Sequence, residues 1–263
     1  MRSVILIPAR YASTRYPGKP LAELATPQGP RSLIRLSWEA ARRVPGIDAV
    51  HVVTDDERIR TAAAAFGAEV IMTPPECRNG TERCAAALRA GDVTADIVVN
   101  LQGDAPLTPP DFVTALQKAL EADPARQVAT PVLRCDAETH ARLVADRRAG
   151  RVGATTAVFD AAGRALYFSK EVLPFTDPAK PPPDPVPVFH HVGVYAYRSA
   201  ALERYAALPE STLERLEGLE QLRFLVDGMP VQCVEVEGRG RGFWELNNPE
   251  DIPRIEAALR GRA

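Results

Sequence analysis

The sequence has no apolar run that approaches the roughly 18 consecutive residues of a membrane-spanning helix. Its first apolar run ends at Pro8, which makes it too short for the core of a signal peptide and predicts a strand instead. A formal net charge of -2 provides no long-range attraction to nucleic acid or to an anionic membrane. We therefore expect a cytoplasmic protein that binds neither nucleic acid nor a membrane. A local basic cluster would hold any bound polyanion.

Cysteine and lysine are both scarce. The cysteines at positions 77, 84, 135 and 233 form no C-x-x-C pair and have no nearby histidine, which favours reduced thiols over a zinc site or a disulfide framework. Arginine supplies 28 of the 32 basic residues and alanine is abundant, a composition typical of a GC-rich genome rather than of a function. The sequence also lacks a Walker loop and a G-x-G-x-x-G after the first strand, so we do not expect a dinucleotide-dependent oxidoreductase.

Apolar β-branched runs alternate with amphipathic helical stretches through the first half of the chain. The predicted strands there are Val4–Pro8, Ala49–Thr54, Glu69–Met72 and Asp96–Leu101, and the predicted helices are Ser32–Val44, Glu57–Phe66 and Thr81–Ala90. This rhythm predicts an α/β fold with a mostly parallel sheet, helices on both faces and ligands at the carboxyl ends of the strands.

The second half of the chain predicts a smaller, mixed sheet. Its predicted strands are Val128–Leu133, Ala154–Phe159, Leu166–Phe168, Val192–Tyr197 and Val231–Val236, and its predicted helices are Leu213–Val226 and Asn248–Leu259. Six prolines within residues 178–187 exclude regular structure there. We interpret that segment either as a lid beside a binding site or as a solvated connector.

Three cations, Arg10, Arg15 and Lys19, follow the first strand in a loop of small residues that turns at Pro17-Gly18. Backbone N–H groups of such a loop can approach phosphate oxygens, and three cations can neutralise a triphosphate. Phosphoryl and nucleotidyl transfer depend mostly on this stabilisation of charge. A solvated basic loop is the alternative, but the position after the first strand of an α/β sheet favours a phosphate site.

Two further segments lie where a predicted strand or helix meets a loop. The run Asn79-Gly80-Thr81-Glu82-Arg83 opens a helix whose free N–H groups can bind a ligand, although capping by Thr81 explains the pattern as well. The run Gln102-Gly103-Asp104 ends a buried strand. An aspartate at that position is better explained as a Mg²⁺ ligand than as a turn residue.

Together with Leu166–Ser169, His191–Arg198 and Leu219–Arg223, these segments resemble the CMP-Kdo synthetases, which are cytidylyltransferases that activate 3-deoxy-manno-octulosonate (Kdo). The similarity keeps its order from Ile7 to Ile252. It implies a nucleotidyltransferase (Rossmann-like) three-layer sandwich with a smaller mixed-sheet dimerisation subdomain. It also implies one domain, with a CTP-binding half at residues 1–125 and an acceptor-binding and dimerisation part at 126–263, a homodimer, and Mg²⁺ as cofactor.

The resemblance further implies roles for individual residues. Those implied to bind CTP are Pro8, Ala9, Arg10, Arg15, Lys19, Asn79, Gly80, Thr81, Arg83, Gln102 and Asp104. Those implied to bind a small anionic acceptor are Gln102, His191, Tyr195, Arg215, Glu220 and Gln221. Arg10, Arg15, Lys19 and Asp104 would carry catalysis, with Asp104 also holding the metal.

Several departures from the family pattern fall close to this chemistry. Asn247 stands where the family closes its metal site with an aspartate, so that either Asn247 or the nearby Glu245 would complete the site. Ala105 replaces an acid beside Asp104, and His190 and Arg215 also differ from the pattern.

Fewer acids near the metal suit an acceptor that brings more anionic oxygens of its own, and this favours a phosphonate such as phosphonoformate. Two alternatives remain. One is an ordinary CMP-Kdo synthetase, in which these substitutions are neutral. The other is a non-catalytic relative that only binds CTP, although Arg10, Arg15, Lys19 and Asp104 are all retained.

Overall fold

The fold is described from a computed structural model that covers residues 1–13, 16–177, 180, 183–239, 245–246 and 248–261. The strands in these residues are β1 (Ser3–Ala9), β2 (Glu23–Leu24), β3 (Arg31–Ser32), β4 (Ala49–Thr54), β5 (Glu69–Met72), β6 (Ile97–Leu101), β7 (Val128–Arg134), β8 (Thr156–Phe159), β9 (Ala165–Ser169), β10 (Phe189–His191), β11 (Val194–Arg198) and β12 (Val231–Glu235).

The helices are α1 (Leu33–Ala41), α2 (Glu57–Ala65), α3 (Gly80–Arg89), α4 (Pro110–Ala122), α5 (Ala137–Arg148), α6 (Ser199–Ala207), α7 (Thr212–Glu217), α8 (Leu222–Val226) and α9 (Ile252–Arg260). Two short 3₁₀ turns lie at Lys19–Leu21 and Pro249–Asp251. None of the helices in the described ranges is long and apolar enough to cross a membrane.

Ten of the described strands form one sheet in the order β5-β4-β1-β6-β11-β7-β10-β8-β9, with β12 on the free edge of β7. Strands β5, β4, β1 and β6 are parallel, as the alternation of strands and helices predicts. Strand β11 then runs antiparallel between β6 and β7, and the hairpin of β8 and β9 extends the sheet through β10. The mixed strands of the second half are therefore continuous with the parallel strands.

The sheet is covered on both faces, because alternate residues of β1 belong to two different hydrophobic clusters. Val4 and Leu6 pack in a cluster that includes residues of α3 and α6. Ile5 and Ile7 pack in a second cluster with residues of α1, α2 and α4. This confirms the predicted three-layer α/β fold. The functional division at residue 125 and the homodimer stay predictions.

One element prediction in the second half is wrong, and one strand begins later than expected. The expected helix Leu213–Val226 is broken, because Gly218 adopts a left-handed conformation (φ 63°) that ends α7, and α8 begins only at Leu222. The expected strand Val192–Tyr197 is present as β11, which begins at Val194 after β10 has ended at His191. Helices α4, α5 and α6 lie in stretches for which the sequence pattern predicted no element.

Part of the proline-rich segment packs against the protein. Val186 in this segment and Val188 just after it are buried in a small cluster with Cys135 and Leu143. Residues 178, 179, 181 and 182 lie outside the described residues, so that the interpretation of this segment as a lid stays a prediction.

Candidate active site

A cleft of about 1650 Å³ lies where the parallel strands end. Strands β1 and β6 run in the same direction, so that their carboxyl ends meet at one edge of the sheet. Strand β11 runs antiparallel to β6 and pairs Tyr195 with Asn100. Because an antiparallel strand begins where its neighbour ends, the turn before β11 is brought to the same edge.

Most of the predicted site residues line this cleft. They are Pro8, Ala9, Arg10, Lys19, Asn79, Gly80, Arg83, Gln102, Asp104, His191, Tyr195, Glu220, Gln221 and Glu245. Thr81 is buried behind the lining, and Arg215 is exposed on α7 and is not brought to the cleft. Arg15 and Asn247, which were predicted to bind phosphate and metal, lie outside the described residues.

The predicted phosphate ligand and the predicted metal ligand form an ion pair. Lys19 Nζ lies 2.5 Å from Asp104 Oδ2, and both side chains are partly buried. Lys19 begins the short 3₁₀ turn, and Asp104 follows β6 in a tight turn with Gly103. The opposite charges of the pair cancel each other. Lys19 remains available to a negatively charged ligand, and Asp104 remains available to a cation.

The loop after β1 is closed by a contact between its two ends. Gly18 N–H donates to the carbonyl oxygen of Tyr11 at 2.9 Å, and Gly18 has a φ of 73° that favours glycine. The Tyr11 ring covers Gly18, and the Arg58 guanidinium lies 3.3 Å from the centre of that ring. The predicted Pro17-Gly18 turn is confirmed, and it directs Lys19 into the cleft.

The start of α3 is capped by Asn79 rather than by Thr81. The Asn79 side chain accepts a hydrogen bond from Glu82 N–H at 2.8 Å. The Thr81 hydroxyl contacts the Tyr197 hydroxyl instead, at 2.9 Å. The predicted nucleotide ligand Arg83 is buried, donates to Thr73 at 2.6 Å and lies 3.3 Å from Asp55. Its guanidinium therefore anchors the helix, although the residue borders the cleft.

The predicted acceptor residues meet at the same end of α3. Thr81 N–H donates to Glu220 Oε2 at 3.1 Å, and Gln102 Nε2 donates to Glu220 Oε1 at 3.4 Å. The Tyr195 hydroxyl donates to Gln221 Oε1 at 3.1 Å. Burial raises the pKa of the Glu220 carboxyl above its ordinary value, and the hydrogen bond from Thr81 opposes that rise.

A buried ion-pair network ties these two turns together. The Arg223 guanidinium donates to Glu214 through two hydrogen bonds of 2.7 and 2.5 Å, and to Glu82 at 2.9 Å. Glu82 belongs to the first turn of α3, whereas Glu214 and Arg223 flank the turn that carries Glu220. The network therefore positions the predicted nucleotide turn against the predicted acceptor turn.

Two glycines lie at close contacts beside the cleft. A Cβ at Gly103 would lie 2.7 Å from the backbone carbonyl oxygen of Pro8, which is nearer than a real contact allows. Gly193 faces Glu245, whose Oε1 would lie 2.9 Å from a Cβ there. The Leu246 N–H donates to the backbone oxygen of Asp104 at 2.9 Å. The segment that carries Glu245 thus lies beside the Asp104 turn.

The carboxylates here fit a magnesium ion that is completed by its substrate. In the described ranges no three His, Cys, Asp or Glu side chains come together as a metal site. Asp104 and Glu245 nevertheless both line the cleft. Mg²⁺ prefers oxygen ligands and binds through one or two carboxylates together with phosphate oxygens and water. The donor set suits Mg²⁺ in the presence of a nucleotide better than a closed protein site.

The cleft also contains basic residues that the sequence reasoning missed. They are Arg78, Arg134, Arg142, Arg151, Lys170, Arg239 and Arg254. Lys170 could have been predicted from a signal in the sequence, because it is one of four lysines and directly follows the Leu166–Ser169 segment. The arginines had no such signal, since arginine is common throughout this chain.

Three comparisons with known proteins identify the family of this chain. The model of the family described as Cytidylyltransferase matches residues 4–232. A 3-deoxy-manno-octulosonate cytidylyltransferase from Maricaulis maris is 46% identical over 98% of this chain and 97% of its own length. The mitochondrial enzyme of the same name from Arabidopsis thaliana is 36% identical over 99% of this chain and 84% of its own length.

A solved structure extends the agreement to the fold. CMP:2-keto-3-deoxy-manno-octonic acid synthetase, solved in complex with CTP, covers both chains completely with a TM-score of 0.84 and 34% identity. The resemblance stated from the sequence is confirmed, and with it the prediction of a cytidylyltransferase. This chain belongs to the cytidylyltransferase family.

Proposed function

We propose that this protein transfers the cytidylyl group of CTP to Kdo and releases pyrophosphate. The observation that carries the proposal is the meeting of two sets of residues in one cleft. The first set is the start of α3 and the Lys19–Asp104 pair, and the second set is Gln102, Glu220 and Tyr195. The hydrogen bond from Thr81 N–H to Glu220 joins the two sets.

The phosphonate acceptor favoured from the sequence is not supported. The relatives that match nearly the whole chain carry the name of the Kdo enzyme. The charge argument also weakens, because Ala105 is buried and does not line the cleft. An acid that is missing there removes no charge from the cleft lining. We therefore prefer Kdo as the acceptor, which was the alternative predicted from the sequence.

On this proposal the triphosphate binds over the loop after β1. Lys19 and Arg10 are cations at the cleft, and Gly80, the first residue of α3, also lines it. Cations and helix N-termini both stabilise phosphate charge. An arriving triphosphate would attract Lys19 away from Asp104, leaving the carboxylate available to a cation.

Mg²⁺ is part of the proposal, with Asp104 as its protein ligand and Glu245 or Asn247 as the second. Bound there, it would neutralise charge on the triphosphate. Lys19 remains within reach of the same phosphate oxygens, because its Nζ lies 2.5 Å from the Asp104 carboxylate. Lys19 would therefore stabilise the negative charge of the leaving pyrophosphate.

The chemical step is a direct displacement. A hydroxyl oxygen of the acceptor forms a bond to the α-phosphorus as the bond from that phosphorus to the bridging oxygen breaks. Pyrophosphate leaves with the bonding electron pair, and the hydroxyl proton passes to water. Gln102, Tyr195 and Glu220 orient the acceptor, and such orientation supplies much of the rate of a reaction between two bound substrates.

The test is the release of pyrophosphate from CTP and Mg²⁺ with a panel of acceptors: Kdo, an amino-Kdo, a sialic acid and phosphonoformate. We expect release with Kdo, and none without Mg²⁺ or with the Asp104→Asn protein. Release with phosphonoformate alone would restore the earlier interpretation. Binding of CTP without release for any acceptor would indicate the non-catalytic alternative.

A further inference from the structure

A buried threonine lies directly behind the predicted acceptor ligand His191. Thr130, on β7, is fully buried, and its Oγ1 lies 2.9 Å from His191 Nε2. The same oxygen lies 2.9 Å from the carbonyl oxygen of Val194 and 3.3 Å from that of Val192. Thr130 was not among the residues predicted from the sequence, and its hydroxyl does not reach the cleft lining.

The single hydroxyl proton of Thr130 decides how His191 is protonated. Carbonyl oxygens only accept hydrogen bonds, so that Thr130 must donate its proton to Val194 or Val192. Its contact with His191 can then be a hydrogen bond only if Nε2 carries a proton and donates it to Oγ1. A neutral imidazole has one N–H, and the lone pair of the ring therefore lies on Nδ1.

The surroundings of His191 keep the imidazole neutral and its plane defined. Burial lowers the pKa of His191 to about 3, and the neighbouring His190 adds to that decrease. The Phe168 ring packs edge-on at 5.0 Å between ring centres, and the Tyr195 ring lies at 5.5 Å on the same measure. Among the described residues Nδ1 has no hydrogen-bond partner, although His191 borders the cleft.

We propose that Thr130 is a positioning residue that holds His191 as the Nε2–H tautomer, so that Nδ1 accepts a hydrogen bond from a hydroxyl group of the acceptor. The proposal rests on the proposed function and narrows its substrate class to hydroxylated acids. An acceptor without a hydroxyl donor, such as ionised phosphonoformate, would leave the Nδ1 lone pair unpaired and be disfavoured.

The first measurement needs neither a variant nor an acceptor. Nitrogen-15 NMR of the histidine side chains separates a protonated ring nitrogen from an unprotonated one. The chain has four histidines, and the spectrum of a His191→Asn protein identifies the signals of His191. We expect Nε2 protonated and Nδ1 unprotonated from pH 6 to pH 8. A protonated Nδ1 in the wild-type protein would overturn the proposal even if Kdo is the acceptor.

The second measurement compares Thr130→Val, which removes the hydroxyl at nearly constant shape, with Thr130→Ser, which keeps it. We expect Thr130→Val to mix the tautomers and to lower kcat/KM for Kdo by about tenfold, as for one lost hydrogen bond. The KM for CTP should change less than about twofold. Thr130→Ser should keep the single tautomer and the wild-type kcat/KM for Kdo.

The outcomes separate this inference from the proposed function. Equal kinetics and equal nitrogen spectra for Thr130→Val and Thr130→Ser would refute a positioning role. A parallel loss for Kdo and CTP would indicate a structural role alone and would also refute it. Absence of turnover with every acceptor in the wild-type protein would count against the proposed function, while the nitrogen spectrum would still decide the tautomer.

Discussion

Lys19 Nζ lies 2.5 Å from Asp104 Oδ2, across 85 residues of sequence. One partner comes from the loop after β1 and the other from the turn after β6, two strands that are neighbours in the sheet. The proposed phosphate ligand and the proposed metal ligand thus neutralise each other in the absence of substrate. Binding of a magnesium nucleotide would exchange this ion pair for two more highly charged partners.

Asp104→Asn should abolish turnover while CTP still binds, because transfer depends on the metal more than ground-state binding does. The amide also releases Lys19 for the triphosphate. Calorimetric titration with CTP and an assay of pyrophosphate release measure the two effects. Glu121→Gln, an exposed carboxylate change on α4, is the matched control and should leave both unchanged. Turnover near the wild-type rate would show that the Asp104 carboxylate is not required for transfer.

Asn247→Asp should preserve the fold and lower the Mg²⁺ concentration needed for half-maximal rate, since it adds a charged oxygen ligand. Glu245→Gln is the companion variant. It should raise that concentration if Glu245 is the second ligand. Both effects are read from initial rates during a Mg²⁺ titration. The same Mg²⁺ dependence and acceptor preference as in the wild-type protein would contradict the argument that these residues tune charge at the metal.

Gly103→Ala should impair both stability and turnover, because its Cβ would lie 2.7 Å from the Pro8 carbonyl oxygen. Backbone cannot move aside as a flexible side chain can, and we expect a loss of about 1–3 kcal/mol in the free energy of unfolding. Urea denaturation measures it. In Gly261→Ala the nearest atom lies at 3.7 Å, and that control should be neutral. Equal stability of the two variants would show that the turn at Gly103 can move away from Pro8 at little cost.

Arg223→Met should lower the free energy of unfolding by about 3–5 kcal/mol, since it leaves a buried carboxylate without its partner. Arg223 is 2% exposed and Glu214 is 6% exposed. Arg164→Met breaks an exposed pair with Asp160 at 2.8 Å and should cost less than about 1 kcal/mol. Urea denaturation compares them. Similar losses in both variants would mean that solvent reaches the Arg223 network.

Acidification should destabilise the protein through His191. Its pKa in the folded protein is lowered to about 3, so that the unfolded chain binds a proton first as the pH falls below about 6.5. This group alone should reduce the free energy of unfolding by about 1 kcal/mol between pH 6 and pH 5. His191→Gln should remove that part of the pH dependence in urea titrations. An unchanged slope would show that the buried imidazole becomes protonated in the folded state.

Local pattern was sufficient for the parallel strands. The bounds of β4 and β5 agree with the prediction at both ends, because short apolar runs bounded by turn residues have few other ways to be buried. The same reasoning failed at Gly218. The helical period continues through this residue, but its left-handed conformation depends on packing of α7 and α8 that the period does not contain.

The site was predictable in its residue types and only partly in its geometry. The sequence by itself determined the α/β class, the cations after β1 and the carboxylate after β6, since each follows from a local pattern. Tertiary structure alone decided that Thr81 meets Glu220 across 139 residues, that Thr130 lies behind His191, and that Arg215 lies away from the cleft. Such contacts depend on strand order and burial, which bring together residues that are far apart along the chain. The distance between two residues in space cannot be deduced from their separation in the sequence.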